Sequence, residues 1–78
     1  MGRKGLLSRI ERNPEIMFGK PVIKGTRLPV ELILEKLAFG TTEKELMKEY
    51  PFLTPEDIKA ALLYAAKHIS LEEEVVIK

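Results

Sequence analysis

The sequence predicts a mainly α fold: a three-helix, helix-turn-helix-like bundle preceded by a small N-terminal β or irregular segment. Three observations carry that reading. Apolar residues recur at helical spacing at Val30, Ile33, Leu34, Leu37 and Ala38. Two helix-start codes follow, at Thr42 to Glu45 and at Leu53 to Asp57. Ahead of Pro29, the chain has no helical period and is cut repeatedly by glycine and proline.

Residues 1–8 hold Gly2, Gly5 and two cations without periodicity, so they are expected to form a flexible basic arm. Short β-compatible pieces lie around Ile10, Ile16 to Phe18, and Val22 to Ile23. They are separated by Asn13-Pro14 and by Gly19-Lys20-Pro21. A small hairpin-like or irregular unit is expected there, because two short strands alone are marginal in water. Gly25-Thr26 then turns the chain toward the first helix, which follows Pro29 and stops at Gly40.

The second helix opens on a capping box. The Thr42 hydroxyl accepts from the amide of Glu45, whose carboxylate reaches back to the Thr42 amide. Leu46 and Met47 point inward, and Tyr50-Pro51 ends the helix, since the residue before proline disfavours the α conformation. In the third helix Thr54 is the N-cap and Pro55 stands at N1, where its missing N–H costs nothing. Glu56 and Asp57 suit the positive dipole end, and Leu53 staples onto Ile58. The expected core stripe is Ile58, Ala61, Leu62, Ala65 and Ile69, with Leu63 facing outward between Lys59 and Lys67. Residues 9–70 are thus read as one domain and residues 71–78 as a C-terminal tail.

Composition narrows the function classes. A chain of 78 residues buries a limited share of its surface, so a homodimer is the expected state. Cysteine is absent and His68 is the single histidine, which leaves no disulfide framework and little for a metal. No apolar run reaches the ~20 residues of a membrane span and the N-terminus has no signal-peptide pattern, so a cytoplasmic protein without membrane partners is expected. Glutamine is absent, asparagine occurs once at Asn13, and charged residues reach 32%, a usage that leans toward thermophiles.

The net charge of +1 conceals a division. Residues 1–30 carry seven cations against two carboxylates, a net of +5, and residues 31–78 carry six against ten, a net of −4. Such asymmetry signals interaction more than folding. The cations concentrate on GKPVIKGTRL, residues 19–28, where Gly19, Pro21 and Gly25 shape the backbone and Lys20, Lys24 and Arg27 charge it.

Enzymatic chemistry finds no support in the residues. There is no phosphate-binding glycine loop, no nucleophile elbow and no H-E-x-x-H. Tyr64 and His68, one turn apart, read as surface packing. No cofactor is implied. Nucleic-acid binding would place Lys20, Lys24, Thr26 and Arg27 on phosphates, with Arg3, Arg9 and Arg12 as added backbone contacts. The third helix is a poor groove reader, because Glu56 and Asp57 would repel DNA and only Lys59 and Lys67 favour it. Protein binding is the favoured class. Arg27 is suited to bidentate pairing with a partner's carboxylates. A structural role for Arg27, capping a helix or pairing with Glu31, stays open beside it.

The tail LEEEVVIK joins an acidic run to Val75, Val76 and Ile77. These residues, with Leu63 and Tyr64, make a possible dimer or partner face, either docking on a mate or adding a strand to another protein. A disordered tail is the alternative.

Taken together, the segments N-P-E-I, G-K-P-V-I-K-G-T-R, A-x-G, E-x-x-x-x-Y-P-x-L-T-P-E-D-I and A-L-x-Y-A stand in the order seen in the family termed domain of unknown function 433, which residues 9–69 resemble. Phe18 stands where that pattern more commonly has glycine. The resemblance implies a small prokaryotic antitoxin-type, helix-turn-helix-like protein, often dimeric. Such a protein neutralises a PIN-like ribonuclease toxin and acts on its own operator DNA, and the family has no established catalytic residues. The function expected is therefore that of an antitoxin of a type II toxin–antitoxin pair. A stand-alone DNA-binding transcriptional regulator is the alternative.

Overall fold

A computed structural model describes the backbone of residues 2–77 and the side chains of residues 2–70. It is mainly helical: α1 (Arg3–Leu7), β1 (Ile10–Glu11), β2 (Val22–Ile23), α2 (Val30–Ala38), α3 (Glu43–Glu49) and α4 (Pro55–Ile77). The strands pair antiparallel, Ile10 with Ile23 and Glu11 with Val22. Of the three β-compatible pieces, the one around Ile16 to Phe18 is no strand. Met17 to Gly19 is a tight left-handed turn, with φ of 50°, 59° and 80°.

Each helix ends for a local reason. Gly40, at φ 94°, closes α2: its amide donates to Leu37 and the Thr41 amide to Lys36, the paired bonds of a Schellman motif. The capping box of α3 is present in both directions, with the Thr42 amide 2.9 Å from the Glu45 carboxylate and the Glu45 amide 3.1 Å from the Thr42 hydroxyl. At the start of α4 a second reciprocal cap forms. The Thr54 amide donates to Asp57 Oδ2 and the Asp57 amide to Thr54 Oγ1.

One core joins these elements. Ile23 and Leu28 of the N-terminal unit, Val30 and Ile33 of α2, Leu46 of α3, and Leu53, Ile58 and Ala61 around α4 are buried together. Full burial of one aliphatic side chain is worth about 1.5–3 kcal/mol. The set is small, so each member weighs heavily in a domain of this size.

Three further expectations are corrected. Residues 3–7 are helical instead of an arm, and α1 lies along α4. That contact rotates the buried face of α4: Asp57, Ile58, Ala60 and Ala61 are buried, while Leu62 and Ile69 are 47% and 54% exposed. Leu63, expected outward, is half-buried and shares a cleft with Arg3 and Leu7. Helical spacing fixes which residues share a face but not which neighbour covers it. The residues set apart as a tail continue α4 as far as Ile77. The contacts expected of Val75, Val76 and Ile77 lie outside the described side chains.

Candidate functional site

The connector between β2 and α2 is built as a rigid loop. The Thr26 amide donates to the Ile23 carbonyl at 3.0 Å, closing a β-turn with Gly25 at φ 80°, the positive angle that position i+2 of a type II turn demands. The Thr26 hydroxyl donates to the same carbonyl at 2.7 Å and accepts from the Leu28 amide at 3.0 Å. The Ile23 amide donates back to the Leu28 carbonyl, the Lys24 amide to Arg9 and the Val30 amide to Pro21. Thr26 is therefore spent on the backbone. Gly19 and Gly25 serve their positive φ, and Pro21 supplies a carbonyl to the start of α2.

The cations of the N-terminal unit divide into two groups. Arg9 is engaged: its Nη1 lies 3.0 Å from Oδ1 of Asp57, joining β1's flank to the first turn of α4 across a half-buried side chain. Its Nε is buried without a partner, so the pair is an imperfect one. Arg12 donates from Nε to the Gly19 carbonyl at 3.2 Å, and Lys20 pairs with Glu31 at 2.7 Å on the surface. Glu31 pairs with Lys20, and the expected alternative of an Arg27–Glu31 pair is not formed among the described residues. Lys24 and Arg27 are exposed and form no ion pair among the described residues, and the same holds for Lys59 and Lys67 on α4.

Two clefts flank the connector and meet at Thr26 and Phe52. The polar one, about 500 Å³, is bordered by Ser8, Arg9, Lys24, Thr54 and Asp57. The other is an open, largely apolar groove of about 1010 Å³. Its walls are Ile16 and Met17 from the left-handed turn, Gly25 to Pro29 from the connector, Leu32 from α2, and Tyr50 and Phe52 from the α3–α4 corner. The two aromatic rings stand 6.0 Å apart, tilted by 57°. Arg27 borders this groove. Beside Met17, Phe18 is 96% exposed.

No sequence period announced the groove, since its lining comes from four separate segments. The signals available were single ones: Tyr50-Pro51-Phe52 placed two aromatics on one corner, and Phe18 was an aromatic in a glycine-rich turn. From sequence Asp57 reads as a helix-end charge, and its spacing from Thr54 also fits the reciprocal cap that the two residues form. Elsewhere the rings of Tyr64 and His68 pack with centroids 4.4 Å apart and planes tilted by 41°, His68 being exposed, as their spacing predicts. Among the described residues no group of three His, Cys, Asp or Glu side chains could hold a metal ion, and no helix is long and apolar enough to cross a membrane.

Comparison with known proteins adds the family. Residues 10–65 match the sequence profile described as "Protein of unknown function (DUF433)". The chain belongs to the DUF433 family. A crystal structure of a DUF433 member from Anabaena variabilis is similar to this DUF433 chain with a TM-score of 0.77 and 29% identity, over 96% of this chain and 74% of that one. The uncharacterized protein y4eO of Sinorhizobium fredii is 34% identical over 56 residues. That match takes in 72% of this chain but only 25% of y4eO, so the chain spans about a quarter of that relative's length. The span that matches the family, residues 10–65, holds every residue that lines the groove. Phe18 holds a φ of 59°, an angle that glycine adopts more readily than a side-chain-bearing residue.

Proposed function

We propose that this DUF433 protein is a non-catalytic binding protein, the antitoxin of a type II toxin–antitoxin pair, which neutralises a PIN-like ribonuclease by direct contact. The observation that carries the binding half is the pair of uncommitted cations, Lys24 and Arg27, displayed on a hydrogen-bonded connector beside an apolar groove. A PIN-like nuclease holds a cluster of acidic side chains, and a guanidinium on a rigid loop complements such a cluster at little ordering cost. The choice of a nuclease as partner rests on the family resemblance.

The regulator alternative draws less support. Arg9, Arg12 and Lys20 are engaged within the fold, which leaves fewer cations for phosphates. The first turn of α4 offers Glu56 where a groove-reading helix needs donors. A homodimer forms part of the proposal, supported by exposed Leu62 and Ile69, which lie two turns apart on one side of α4.

The test is inhibition of the cognate nuclease, assayed as RNA cleavage with and without the DUF433 protein. Wild type is expected to suppress cleavage, and Arg27→Glu to restore it while the circular dichroism spectrum stays unchanged. Full inhibition by Arg27→Glu would remove the connector from the interface. Retention of DNA in place of any protein partner, with affinity falling steeply in salt, would hand the function to the regulator reading.

A further inference from the structure

We infer that the apolar groove is a docking cleft for a short segment of a partner protein, one with large apolar side chains flanked by a carboxylate that meets Arg27. The inference rests on the protein-binding reading and adds what the partner presents. Three observations converge on it. The groove is predominantly apolar, lined by Ile16, Met17, Leu28, Leu32, Tyr50 and Phe52, which suits aliphatic or aromatic anchors and not a phosphate backbone. Its charged border residue is a cation, Arg27, with no ion pair among the described residues, so a carboxylate is the complementary group.

The third observation concerns one wall. Met17 and Phe18 both hold left-handed angles that side-chain-bearing residues adopt at a cost. Hydrogen bonds from Gly19 to Ile16, from Lys20 to Met17 and from Arg12 to the Gly19 carbonyl hold them there. The wall is thus shaped in advance of any partner, and a ligand has little ordering to supply. The same strained turn keeps Phe18 out of the core and in solvent next to the groove.

The experiment selects short random peptides against the immobilised full chain and titrates the enriched sequences by fluorescence anisotropy. Enriched peptides are expected to combine large apolar residues with Asp or Glu. They should bind Arg27→Glu and Leu32→Asp about tenfold or more weakly, and bind Lys59→Glu as they bind wild type. Replacing the peptide's carboxylate by lysine should recover affinity for Arg27→Glu alone. That recovery separates a direct contact from a damaged fold, which matters because Leu32 is half-buried while Arg27 is exposed.

Enrichment of peptides without carboxylates, or binding indifferent to both groove variants, would overturn the inference. So would self-association abolished by Arg27→Glu, which would assign the groove to a second copy of this chain. Inhibition of the nuclease that survives Leu32→Asp would sink the groove while leaving the antitoxin proposal standing. Peptide binding with no nuclease partner would do the reverse.

Discussion

Phe18 occupies a φ of 59° with almost all of its side chain in water, so it contributes strain without burial. Left-handed geometry costs a side-chain-bearing residue about 1–2 kcal/mol, and asparagine bears it more easily. Phe18→Asn is therefore expected to stabilise the chain by roughly 0.5 kcal/mol in urea denaturation, while weakening partner binding if the ring is a contact. A loss of stability would show that the ring packs on something. Gly25, at φ 80°, has nothing within 4 Å of where a Cβ would stand, so a substitution there meets strain but no clash. Gly25→Val should lower stability by about 1–3 kcal/mol; Lys24→Ala, beside it and exposed, should leave stability within about 0.5 kcal/mol of wild type. Equal melting temperatures for Gly25→Val and wild type would refute the turn assignment.

Helix α3 is short and depends on its cap. Hydrogen bonds from the amide and hydroxyl of Thr42 hold the Glu45 carboxyl below its ordinary value of 4.5. A group whose folded pKa is depressed adds stability above its unfolded pKa and loses it as the pH falls through the folded one. Melts from neutral pH to about pH 3 should therefore show an acid-labile increment that Glu45→Gln lacks. Lys36 behaves in the opposite sense. The hydrogen bond to Glu49 raises it above 10.5, and the link between α2 and α3 persists until the lysine deprotonates at higher pH.

These caps were legible because their code is local: Thr42 with Glu45, and Thr54 with Pro55, sit within one turn of what they cap. The stop at Gly40 and the short strands at Ile10 and at Val22–Ile23 had equally local cues in glycine and β-branched residues, whereas the register that pairs Ile10 with Ile23 had none. The face of α4 was not legible. Leu62 and Leu63 are equally apolar neighbours, and only α1, whose five residues carry no helical period, decides which of them is covered. The site was half-legible for the same reason. The connector's charge and glycines are contiguous, whereas Arg9 needed Asp57, 48 residues away, before its engagement could be known.

At the scale of the molecule, α4 runs well beyond the bundle it starts in, and the chain measures 43 × 30 × 25 Å. A dimer pairing α4 through Leu62 and Ile69 would cover these two exposed side chains. The double variant Leu62→Asp, Ile69→Asp is expected to shift sedimentation from dimer to monomer with the bundle's circular dichroism retained. Wild type sedimenting as a monomer at high concentration would end the dimer proposal.

The ion pair between Arg9 and Asp57 also has a bearing on how the protein is made. Arg9 leaves the ribosome 48 residues ahead of its partner, an interval of roughly 2–10 s at ordinary elongation rates. Through that interval the hairpin lacks its anchor on α4, and the walls from Ile16 to Leu32 wait for Tyr50 and Phe52 to emerge opposite them. The groove cannot exist until Tyr50 and Phe52 have been made. A partner that reads it recognises only chains extended past that corner, so shorter translation products would not compete for it.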